Sequence, residues 1–95
     1  MAQVLPLRFR LLHFFSTVEK ANVDQMMEGL RAEYGTESQF KKSKFKDHAL
    51  SMMANGVIDE AELGITEDGE LDVYYCISEE GRRLLKKYLP KSFRQ

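Results

Sequence analysis

One cysteine and no tryptophan occur in the 95 residues. A lone Cys76 closes no disulfide within the chain, so a disulfide framework is excluded and a reducing, cytoplasmic setting is the expectation. No apolar run approaches the roughly 20 residues that cross a bilayer, so no membrane partner is expected. The opening MAQVLPLRFRLLHFF breaks its apolar residues with Arg8 and Arg10 and has no small-residue cleavage site, unlike a signal peptide. Also missing are a Gly-rich phosphate loop, a nucleophile elbow and any ordered Ser/His/Asp set. The acidic run 59–72 lacks the alternating oxygen ligands of a calcium loop. His13, His48 and Cys76 fall on three separate elements, at a spacing that matches no metal motif. Neither an enzyme, a metal nor a cofactor is expected. No internal repeat or low-complexity tract is visible.

What remains is 43% apolar residues and a very uneven charge pattern. One modest core is feasible in a single domain spanning 1–95, with little stability to spare. The net charge of −1 hides the split. Residues 1–35 are neutral, and residues 36–56 carry +2 through Lys41, Lys42, Lys44 and Lys46. Residues 57–81 hold nine acidic and no basic side chains, and residues 82–95 hold six basic and no acidic ones. Questions about partners start from that split.

Leu7, Leu11, Phe14, Phe15 and Val18 recur at helical spacing after Pro6, which suits a first turn; the first helix is read over 6–18. Asn22 and Gln25 form a capping-box pair for a second helix over 23–34, with Gly35 as its C-terminal cap. Ser43 is read as the N-cap of a third helix over 43–54, with Phe45, Ala49, Met52 and Met53 on one face and Asn55-Gly56 at its end. Met26, Met27, Met52 and Met53 read as core filler. The period then drops to two. Leu63, Ile65, Leu71 and Val73 alternate with acidic residues, giving two half-buried strands over 57–66 and 70–78. A three-residue loop (Glu67, Asp68, Gly69) pairs Ile65 with Leu71 and keeps the apolar residues on one face, with Gly69 in the left-handed position. Glu60, Glu62, Glu70 and Asp72 then share the outward face, with Cys76 opposite Glu60. Ser78 caps a last helix over 79–89, stopped by Pro90. Its acidic start and basic end suit the helix dipole.

Three helices, a β-hairpin and a fourth helix make an α+β chain with the layout of a winged helix-turn-helix domain. NGVID (55–59) and YYCISEEGRRLL (74–85) resemble the passages into and out of the wing in that superfamily, most closely in PadR- and MarR-like transcriptional regulators. The resemblance covers about residues 8–89. It implies duplex DNA as partner, with helix three at the DNA: Lys41, Lys42, Lys44 and Lys46 toward phosphates, and Ser43, Asp47 and Ser51 near base edges. The face lacks Arg and Asn, the commonest readers of guanine and adenine. Such regulators place basic residues on the wing, and this wing is acidic. The alternative is a protein-interaction module. In it the wing (Glu60, Glu62, Glu70, Asp72) and Leu50, on the exposed side of helix three, meet a basic partner protein and no nucleic acid binds. Apolar surface on the first and last helices suggests a homodimer paired through them.

Overall fold

The computed structural model describes residues 7–36 and 40–88. Four helices and one antiparallel hairpin follow in the order α1 (Leu7–Ser16), α2 (Val23–Tyr34), α3 (Lys42–Ala54), β1 (Ile58–Ile65), β2 (Leu71–Ile77) and α4 (Glu79–Tyr88). The expected roles of Pro6, Leu89 and Pro90 lie outside the described residues.

The core lies where the helices meet the near end of the hairpin. Leu11, Leu12 and Phe15 of α1, Met26 and Leu30 of α2, and Phe45, Ala49 and Met52 of α3 are buried together with Ile58, Tyr75 and Leu85. The methionines fill the core as their spacing suggests: Met26 and Met52 are buried, and Met27 and Met53 pack partly against it.

Local signals explain most of the boundaries. Helix α1 stops at Ser16 rather than Val18, because the Ser16 and Thr17 hydroxyls donate back to the carbonyls of His13 and Phe14 at 2.5 and 2.7 Å. These bonds occupy carbonyls of the last turn. The capping box of α2 forms as expected. The Gln25 N–H donates to Asn22 Oδ1 at 2.9 Å, and the Asn22 N–H donates to Gln25 Oε1 at 3.0 Å. Gly35 closes α2 in the right-handed region, φ −59°, so it is a helical C-cap and not a left-handed one. Helix α3 ends in a Schellman pair. The Gly56 N–H (φ +79°) donates to Met53 O at 3.0 Å, and the Val57 N–H donates to Met52 O at 3.1 Å.

The start of α3 corrects the sequence expectation. Lys41, not Ser43, is the N-cap, and no side chain caps the first turn. Phe40 and Phe45 instead pack edge to face, with ring centroids 5.3 Å apart. That places an apolar pair on either side of the N-cap, a hydrophobic staple that fixes the chain's approach without using any polar group.

The hairpin keeps the expected register at its far end, where Ile65 pairs with Leu71 and Leu63 with Val73. Gly69 is left-handed at φ +84°, and the Thr66 N–H bonds Glu70 O at 2.8 Å. A bulge between Glu60 and Glu62 then shifts the near end. Glu60 opposes the buried Tyr75, and Asp59, not Glu60, opposes Cys76. Glu60 therefore leaves the outward acidic row. Burial and then the Glu60 carboxylate push the Tyr75 phenol up from its ordinary pKa, as expected of that pairing.

Two further features lay beyond the sequence pattern. Ala21 and Tyr75 exchange backbone hydrogen bonds of 2.9 and 2.8 Å, so the α1–α2 connection lies along the free edge of β2. The far half of the hairpin is not half-buried. Its apolar side chains stand largely open to solvent: Leu63, Ile65 and Leu71 are 54%, 77% and 67% exposed.

Candidate nucleic-acid interface

Because the staple is apolar, the N-terminal end of α3 keeps its backbone N–H groups free of side-chain caps. Around that end stand Lys41, Lys42, Ser43 and Lys44, all exposed, with Lys46 one turn on. The first turn holds no acidic residue. Lysines at the positive end of a helix dipole oppose it, each at a cost of about 0.3–1 kcal/mol. The arrangement is locally unfavourable for the helix and favourable for a bound anion.

The lysines are not equivalent. Lys42 Nζ lies 3.2 Å from Asp24 Oδ1 at the start of α2, so this cation is partly neutralised. Lys41, Lys44 and Lys46 have no ion pair among the described residues. Asp47 and Leu50 are exposed on the same side of the helix, Leu50 at 54%.

Ser51 and His48 belong to a different contact. Arg8, on α1, donates from Nη1 to Ser51 Oγ at 2.8 Å and from Nε to His48 Nδ1 at 3.1 Å. The Ser51 hydroxyl oxygen thus accepts a hydrogen bond within the fold. Arg8 adds an exposed cation beside α3 that the sequence did not reveal, because it comes from 40 residues away and its own helix gives no sign of the contact.

The Arg8 bond requires Nδ1 to be the acceptor, so neutral His48 carries its proton on Nε2, which is buried without a partner. Desolvation, then the Arg8 charge, lower the His48 pKa, with Lys44 acting the same way and Asp47 opposing. His13 is lowered too, by burial and then Arg10, against Glu33. Both folded pKa values lie below the unfolded value of about 6.5, so the unfolded chain binds more protons as pH falls through that value. Stability is full above about pH 6.5 and declines below it. The urea midpoint should fall between pH 7.5 and 5.5, and His48→Gln should flatten that fall. A midpoint constant over the interval would contradict this account of the Arg8–His48 contact.

On the wing, Glu62 pairs with Lys20, and Asn22 Nδ2 donates to Asp72 at 3.2 Å. Glu67, Asp68 and Glu70 are exposed and have no ion pair among the described residues. Between α3 and the wing lies an open recess of about 230 Å³. Val23, Leu50, Leu71 and Val73 supply its apolar floor. Lys42 and Lys46 stand on the α3 side, and Glu70 and Asp72 on the wing side. Of the sequence-predicted residues, the recess thus gathers Lys42, Lys46, Leu50, Glu70 and Asp72, and it leaves Lys41, Ser43, Lys44, Asp47, Ser51, Glu60 and Glu62 outside its lining.

Helix α4 carries a second basic surface, with Arg82, Arg83, Lys86 and Lys87 exposed. Among the described residues no three His, Cys, Asp or Glu side chains group as a metal site, and no helix is long and apolar enough to cross a membrane. No protein-family model, curated protein or solved structure matches this chain.

Proposed function

We propose that this chain is a cytoplasmic winged helix-turn-helix protein, a transcriptional regulator that meets duplex DNA with the N-terminal half of α3. In this reading α2 and α3 form the helix-turn-helix, α1 braces it, and the hairpin is the wing. The observation that carries the reading is the cluster of unpaired Lys41, Lys44 and Lys46 at an uncapped helix end. That arrangement weakens the free helix and suits a phosphate backbone. Arg8 extends the cluster. Ser43, Asp47 and Leu50 face outward between the lysines, so base readout is sparse and DNA shape carries more of any specificity. The acidic wing tip is repelled by phosphate and stays clear of the duplex. Three phosphate contacts imply a salt slope, d log K/d log[salt], of about −2.7. Fluorescence anisotropy with a random-sequence duplex, between about 50 and 200 mM salt, measures that slope. Absence of binding at the lowest salt would refute the reading.

A further inference from the structure

Among the described residues, the exposed large apolar side chains are Leu50, Leu63, Ile65 and Leu71. All four lie on α3 or the wing, and none on α1 or α4. Leu11, Leu12 and Phe15 of α1 and Leu85 of α4 are already buried within one chain. Phe9 of α1 and Leu84 of α4 are only partly buried and line an open recess with Leu12, Met52 and Val57, but the most exposed apolar side chains lie on α3 and the wing. Leu50 and Leu71 line the recess between α3 and the wing, and Leu63 and Ile65 stand exposed on the wing; a single exposed Leu is ordinary, but such a group marks a contact surface.

Charge identifies the occupant. On the helix side the recess is lined by Lys46 and by Lys42 with its partner Asp24, and on the wing side by Glu70 and the Asn22-bonded Asp72, so among the described residues Lys46 and Glu70 are its unpaired charges. The cations without an ion pair at the α3 end are Lys41, Lys44 and Lys46; their counterparts at the far end of the wing are Glu67, Asp68 and Glu70. Such a surface is complementary to itself. A twofold axis through the apolar floor brings the Lys46 side of each copy onto the Glu70 side of the other, the condition for an isologous interface. The wing acids then also meet the positive end of the α3 dipole, which no side chain of the same copy caps.

We propose that the recess between α3 and the wing docks a second copy of this chain, with Leu50 and Leu71 at the centre, the exposed Ile65 at its margin, and Lys46 facing the partner subunit's Glu70. The dimer covers the same lysines that the DNA reading uses, so self-association and DNA contact compete. That competition rests on the proposed function; the dimer itself does not.

Sedimentation velocity of the full chain without DNA, over a range of protein concentrations, tests the dimer. A concentration-dependent dimer is expected, weakened by salt. Ile65→Ser with Leu71→Ser should leave a monomer with an unchanged circular dichroism spectrum, since both side chains are largely exposed. Lys46→Glu and Glu70→Lys should each weaken association by about tenfold or more, and the two reversals in one chain should restore it. A chain that is monomeric at every concentration overturns the proposal. So does a dimer that persists in the serine variant, or reversals that do not rescue each other. Adding random-sequence duplex to the wild-type dimer should dissociate it; a dimer that duplex leaves intact refutes the competition, and with it the shared use of Lys46.

Discussion

Lys44→Glu combined with Lys46→Glu lowers affinity for duplex DNA by roughly 100-fold at low salt, and the salt slope loses about two units. Each lysine in the account neutralises one phosphate, and reversal replaces that attraction by repulsion. The same variant should fold at least as well as the wild type. Lys44 sits in the first turn of α3, where a carboxylate suits the dipole that a lysine opposes. Stability should hold or rise by about 0.5–1 kcal/mol. Lost binding with retained or higher stability is the signature of residues kept for function against the helix's own preference. A folded double variant that binds DNA as the wild type does would remove α3 from the interface.

Gly81→Ala costs about 2–3 kcal/mol of stability, a large share of the total for a domain of this size. Gly81 is buried in the first turn of α4, where that helix crosses the start of the hairpin. A Cβ built there meets the Val57 carbonyl oxygen directly, with Ile77 Cγ1 at 2.9 Å and Leu12 Cδ1 at 3.1 Å. A backbone oxygen cannot swing aside as a side-chain tip can, so α4 would have to lift. The same corner is tied by Ser78, whose Oγ accepts from the Gly81 N–H at 3.0 Å and donates to Gly56 O at 2.6 Å. Urea denaturation of the variant should show a lower midpoint at unchanged slope. A shift below about 0.5 kcal/mol would mean that α4 docks with slack the close approach does not suggest.

Features set by neighbouring residues were legible in the sequence. The Asn22–Gln25 box, the Ser78 cap and the loop that puts Gly69 at positive φ each depend on side chains a few positions apart, and each appears as expected. The start of α3 was missed because its signal is apolar. Phe40 and Phe45 clasp across a segment where the helical period is broken, and Ser43 looked like the better cap. The Glu60/Glu62 bulge was missed because alternation runs through EAEL without a glycine to mark the slip. Alternation also says which side chains share a face, not what covers that face; Ile65 has the pattern of a core residue and stands in the open. Of the candidate site, the lysines and the exposure of Leu50 were legible. The Lys42–Asp24 pair and the Arg8 contacts join distant parts of the chain, and no local spacing announces them.

Among the described residues two basic surfaces stand out, the α3 lysines and the face of α4, and the proposed DNA contact is the first. Lysine acetylation, read by mass spectrometry at low protein concentration with and without duplex, separates them residue by residue. Lys41, Lys44 and Lys46 should be acetylated more slowly in the presence of DNA, with Lys20, Lys86 and Lys87 unchanged. Protection of Lys86 and Lys87 in their place, or no protection of any lysine under conditions where DNA is bound, would contradict the α3 contact.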